Sequence, residues 1–212
     1  MQKFLPIFPL AMVAYPGERL NLHIFEDRYK QLINECVAES KPFGLPPVDK
    51  KEVMMFGTEL RIVQVVKRYE GGEMDIKVEG TDVFRVLEIV KEVPDKLYMG
   101  AIVSVQENIH DRHMPTRERL QEAIAELFAL LDIDKQISPD QEKHYSYALA
   151  HLVGFDMIQE FELLKHPSES VRQRIILEHV RNLLPSIRQI AAIRERAKLN
   201  GQFRMIHPPD VS

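Results

Sequence analysis

The chain has 212 residues, 45% of them hydrophobic, and carries 28 basic against 32 acidic side chains for a net charge of −4. That length suits one or two domains, burying roughly 70% of the unfolded surface, and the charge balance gives no global field toward nucleic acid or anionic lipid. A single cysteine excludes an internal disulfide and any multi-cysteine zinc site, which fits a reducing cytosol.

The first 25 residues are rich in large apolar side chains and proline. Lys3 before an apolar run, with "AMVA" following, imitates a secretory signal. Pro6 and Pro9 would break the helix such a signal needs, and no uninterrupted run reaches membrane-spanning length. Export and insertion are therefore rejected, and a cytoplasmic location with no membrane partner is expected. Residues 4–24 read instead as extended chain with a turn at "YPGE", where Pro16 presets φ and Gly17 supplies the permissive position. From Phe25 the period changes. Phe25, Tyr29, Leu32, Ile33, Cys36 and Val37 recur at helical spacing, predicting a helix over 25–39 with Cys36 as a small core residue.

Up to about Val105 the chain then reads as strands. "ELRIVQVVKRY" is rich in β-branched residues, "EGGE" is a hairpin turn, and "MDIKVEG" alternates Met74, Ile76 and Val78 with Asp75, Lys77 and Glu79. "VFRVLEIV" and "YMGAIVSV" add two more short strands, so a small barrel or sandwich is expected, with the helix packed on it or plugging one end. The polar "QENIHDRHMP" marks a boundary, and the period beyond it is helical. Leu120, Ile124, Leu127, Phe128 and Leu131 make one stripe, and Tyr145, Ala148, Leu149 and Leu152 another. The second is capped by Ser138, Pro139 and Gln141 and ended by Gly154. Asp156 with Gln159 opens a short helix. A further one carries Ile176, Val180, Leu183 and Leu184 until Pro185 interrupts, and a last one starting at Ile187 is closed by Asn200-Gly201. The expected division is a β-rich unit over 1–108, a bundle of about five helices over 115–203, and a tail over 204–212.

No Walker A loop, G-x-S-x-G elbow, H-E-x-x-H helix or Rossmann glycine triplet occurs, so no catalytic residue, cofactor or metal is expected. "HDRH" groups His110, Asp111 and His113, but in a polar linker a solvated charge cluster is the better reading. His144 and His151 are seven apart on one helix side with no further ligand at suggestive spacing, which favours packing or surface roles.

The opening "LPIFPL" followed by "YPGERLNLHIFEDRY" resembles the start of the Lon protease N-terminal (substrate-binding) domain. "FGTELRIVQV" and "IKVEGTDVFRV" resemble two further strands of that family, and "FDMIQEFELLKHPSESVRQRIILEHV" echoes its helical part more loosely. The resemblance implies an α+β fold, a PUA-like β pseudo-barrel with a packed helix followed by an α-helical bundle, here in a stand-alone form without ATPase or peptidase modules. It further implies a non-catalytic interaction module whose partners are unfolded or tagged polypeptides or another protein. The matching Pro9, Pro16, Gly17, Gly57 and Gly80 are structural in this reading, and Phe25, Tyr29 and Phe84 belong to the core.

Apolar side chains in loops are the candidate polypeptide contacts: Met12, Val13 and Tyr15 in the first turn, and Met54, Met55 and Phe56 before the Gly57 strand. Methionine adapts its shape to varied partners. The competing reading is that these residues close the ends of the barrel. The alternative function is nucleic-acid binding through a PUA-like fold and the basic C-terminal helices. Residues 171–212 hold eight arginines and lysines against three acidic side chains. Arg174, Arg181 and Arg188 would share one side if their helix continued through Pro185, although Glu178 falls in the same stripe and no aromatic residues are interleaved.

Overall fold

The computed structural model describes residues 2–111, 113–135, 137 and 143–203, with side chains to residue 197. The cap expected at Ser138, Pro139 and Gln141 and the tail over 204–212 lie outside the described residues. The chain divides into two compact units, Met1–Arg112 with Ile137–Arg172, and His113–Gln136 with Gln173–Ser212.

The first unit begins with β1 (Gln2–Pro6), β2 (Arg19–Ile24) and α1 (Asp27–Glu39). Short strands β3 (Phe43–Leu45), β4 (Val48–Asp49) and β5 (Glu52–Val53) lead to β6 (Phe56–Arg68), β7 (Met74–Val90) and β8 (Gly100–Val105). The main sheet runs β1-β8-β7-β6-β3, all antiparallel, with β2 paired to the first half of β7. Parallel bridges Ile7↔Gly44 and Leu10↔Pro47 bring the chain beyond β1 against β3, closing the sheet into a pseudo-barrel. The alternation read from "MDIKVEG" holds, since Met74, Ile76 and Val78 are buried. β7 does not stop at Gly80. It runs through as one strand of 17 residues, where two short strands were expected. Gly80 marks a close approach rather than a break: a Cβ there would sit 2.1 Å from the Tyr15 carbonyl oxygen.

Helix α1 buries Tyr29, Leu32, Ile33 and Cys36 in one core cluster with Phe8, Phe43, Leu60, Met74 and Ile76. Burial pushes the Cys36 thiol up to about 12, so it behaves as a small apolar residue. Phe25 departs from the expected stripe. It precedes the extended N-cap Glu26, so its ring is not on the helical face; it is 61% exposed, stacked on His23 at 6.1 Å between centroids. Leu5, Ile7, Phe84, Val86, Ala101 and Val103 form a second cluster.

The same unit contains α3 (Tyr145–Ala150) and α4 (Met157–Lys165). These helices were expected in the bundle; in the structure they group with the strands. Asp156 and Gln159 form the expected capping box of α4. The polar "QENIHDRHMP" is not a free linker over its described part: Ile109 bridges Ser168, and Asp111 accepts hydrogen bonds from Ser168 Oγ (2.9 Å) and the Ser170 backbone N–H (3.2 Å).

In the second unit, α2 (Met114–Leu131) buries Leu120, Ala123, Ile124, Leu127 and Phe128, much as its periodicity predicts. His113 caps it by accepting from the Thr116 N–H. Helix α5 (Glu169–Phe203) begins in the first unit and continues in the second, where Ile176, Leu177, Val180 and Leu184 are buried. It passes through Pro185 and Asn200-Gly201, where two helices and a stop at Asn200-Gly201 were expected. Pro185 is exposed, so the Arg181 carbonyl that loses its partner is left to water, which tolerates the proline. The second unit therefore holds α2 and most of α5. Among the described residues no helix is long and apolar enough to cross a membrane.

Candidate functional site

The two loops singled out by their apolar residues meet different fates. In the first, Val13 and Tyr15 are fully buried and Met12 packs partly buried against the α1 core. Neither Val13 nor Tyr15 can touch a partner, which corrects their place among the contact candidates. The Tyr15 ring stacks on Tyr147 at 5.0 Å and leans on His151 at 4.9 Å, while its hydroxyl donates to the Glu160 carbonyl at 3.0 Å. Burial and the charges of Glu160 and Glu18 hold that hydroxyl far above the ordinary tyrosine range, so it stays a donor. Behind Tyr147 lies Arg172, its guanidinium 4.0 Å from the ring centroid and wholly buried. Its five N–H groups reach Ser146 Oγ, the carbonyls of His166 and Pro167, Asn108 Oδ1 and Glu169 Oε2. A buried ion pair persists where all its donors are met, and this one anchors the stack.

His151 completes the clamp. Its Nδ1 lies 2.6 Å from Glu160 Oε1 and its Nε2 3.2 Å from Glu18 Oε1. Burial alone would lower its pKa, but the hydrogen bonds to Glu160 and Glu18 and their charges outweigh it and hold the ring at about 9. His144 packs beside the same turn, since a Cβ on Gly17 would fall 2.9 Å from its ring. Burial, with His110 and Lys143 nearby, pushes it below the ordinary histidine range. Both histidines are packing residues. Among the described residues no group of three or more His, Cys, Asp or Glu could hold a metal ion.

The second loop stays open. Met55 is 47% exposed, Met54 and Phe56 are half-buried, and with Val53, Phe161 and Lys165 they line a cleft of about 430 Å³. The Phe56 and Phe161 rings meet edge to face at 6.3 Å, and Lys165 Nζ stands 5.6 Å from the Phe161 centroid while its charge is held by Glu162 at 2.9 Å. Helix α4 thus supplies a wall that no local pattern at residues 54–56 could announce. The volume falls at the lower end of the range typical of ligand pockets, and the lining is mostly apolar.

The basic stripe is also on view. Because α5 continues through Pro185, Arg174, Arg181 and Arg188 do share a side, and all three are exposed. Arg188 is engaged, with Nε and Nη2 at 2.6 and 2.9 Å from the Glu126 carboxylate, and exposed Glu178 interrupts the stripe. The arrangement is that of a solvated helix face.

A closed antiparallel pseudo-barrel with an inserted helix, carrying two short helices and continuing into a long one, defines an α+β domain of the Lon N-terminal class. A family model for the ATP-dependent protease La (LON) substrate-binding domain matches residues 4–182, and the chain belongs to that family. It is similar to the solved Lon N-terminal domain protein from Xanthomonas campestris, with a TM-score of 0.67 and 28% identity over 83% of this chain and 98% of that one. The N-terminal domain of the Mycobacterium avium complex Lon protease shares the fold, with a TM-score of 0.62 and 18% identity over 84% and 98% of the two chains. A comparison with curated proteins gave no significant match.

Proposed function

We propose that this chain is a non-catalytic recognition module that takes apolar side chains of other polypeptides into the cleft between the 54–56 loop and Phe161. Membership of a substrate-binding domain family supports the class of partner. The observation that carries the reading is the uncovered cleft: Met54, Met55 and Phe56 remain accessible beside Phe161, whereas Val13 and Tyr15 of the first turn are fully buried. Burying one large apolar side chain is worth roughly 1.5–3 kcal/mol, too little by itself for even millimolar affinity at about 4 kcal/mol. Binding is therefore weak per site, tolerant of sequence, and dependent on several anchors in one chain. Methionines suit that task because their side chains adapt. The test is titration of a fluorescently labelled unfolded protein against the wild type and Met54→Ser/Met55→Ser. The expected outcome is saturable binding that survives added salt and weakens roughly tenfold in the variant, the equivalent of about 1.4 kcal/mol. Unchanged binding by the variant would overturn the reading.

A further inference from the structure

The charges on the cleft wall point to a narrower class of occupant, an inference that rests on the cleft being a polypeptide site. Strands β4 and β5 form a hairpin whose register places Asp49 directly opposite Glu52, and both residues line the cleft. Directly opposed residues of an antiparallel pair share a face at about 4.5–5.5 Å between Cβ atoms, and like charges there repel. Among the described interactions neither carboxylate has a hydrogen-bond or ion-pair partner. The turn between them is made by Lys50 and Lys51, both with positive φ (47° and 73°), and neither lysine lines the cleft. Across the cleft the one cationic lining group, Lys165, is already matched by both oxygens of Glu162 at 2.9 Å. The charged lining groups left unmatched are therefore the two acidic residues, with Lys50 and Lys51 on the turn beside them.

We propose that the cleft selects polypeptide segments in which an apolar residue is flanked by lysine or arginine. The apolar side chain enters over Met54, Met55, Phe56 and Phe161, and the flanking cation is met by Asp49 and Glu52. An acidic flank meets two uncompensated carboxylates and is rejected, which gives the cleft discrimination that apolar contact alone lacks. The ion pairs lie at an open rim, so the preference is modest and salt-sensitive.

The experiment uses three short fluorescein-labelled peptides with a common Leu-Phe-Leu core, flanked by lysine, serine or glutamate, titrated by anisotropy against the whole chain. At about 0.1 M salt the lysine-flanked peptide is expected to bind about three- to tenfold more tightly than the serine-flanked one, and the glutamate-flanked peptide more weakly than either. In Asp49→Asn/Glu52→Gln the preference of lysine over serine flanks falls below about twofold. In the wild type it fades toward about 1 M salt, where the screening length is about 3 Å, a test that needs no variant. Equal affinity for the three peptides, or a lysine preference that persists in the variant, overturns this inference and leaves the cleft as an apolar site. Failure of all three to bind overturns the polypeptide reading and this inference with it.

Discussion

Residues 12–15 and residues 54–56 are both short stretches led by methionine and rich in large apolar side chains, yet Val13 and Tyr15 of the first are sealed and the second is open. The difference lies in what arrives from elsewhere in the first unit. Over the first stretch, Tyr147 and His151 of the α3 region and Glu160 of α4 supply a ring to stack on, a charge for Glu18 and a carbonyl for the Tyr15 hydroxyl. Over the second, Phe161 and Lys165 of α4 approach and Asp49, Glu52 and Val53 line the rest, and the cleft remains. An apolar loop residue becomes a contact surface only when the fold has no internal partner for it. Composition cannot report that.

The contrast can be broken by substitution. Tyr15→Ala removes a fully buried ring together with its stack on Tyr147 and its hydrogen bond, and is expected to cost about 3–5 kcal/mol in denaturant unfolding. Met55→Ser, at a half-exposed position, is expected to cost under about 1 kcal/mol and to act on binding instead. If Met55→Ser were as destabilising as Tyr15→Ala, residues 54–56 would have to be core, and the distinction would fail.

A smaller effect sharpens the sealed side through pH. His151 has its pKa raised from 6.5 to about 9 in the folded chain. Because the folded value lies above the unfolded one, the contribution of its ion pairs is full below about pH 6.5 and is lost as pH rises through about 9. With a ring 35% exposed, solvent screening limits this to under about 1 kcal/mol. Thermal melts should therefore show a shallow decline in melting temperature between these pH values that is absent in His151→Gln. A melting temperature that holds flat across that window in the wild type would remove His151 from the clamp.

Much of the barrel was legible because its signals are local. The alternation of Met74, Ile76 and Val78 and the spacing of Tyr29, Leu32, Ile33 and Cys36 each declare a buried face within one element, and the turn at Gly17 carries the positive φ of 79° that its sequence predicts. The helical half was legible in its stripes but not in its grouping. Polar residues around 108–111 read as linker and solvated charge, since nothing local reveals that Arg172 will be buried with five partners, Asn108 among them, or that Asp111 will tie down Ser168 and Ser170. Pro185 misled for a related reason: a proline is better tolerated inside a helix where the carbonyl it frees can be hydrated, and that depends on exposure. The candidate cleft was half legible. Residues 54–56 stood out by composition; Phe161 lay hidden in an ordinary amphipathic helix, and its partnership with Phe56 is a property of the fold alone.

The central claim, that an apolar polypeptide segment enters the cleft at residues 54–56, is tested most directly by the methionine methyl groups themselves. In a sample labelled at methionine methyls, addition of a short peptide with a Leu-Phe-Leu core should shift the resonances of Met54 and Met55, assigned by their serine variants. The account predicts that Met74, fully buried in the barrel core, and Met114, 57% exposed on α2, stay in place. Peptide binding that leaves Met54 and Met55 unmoved while Met114 shifts would contradict it.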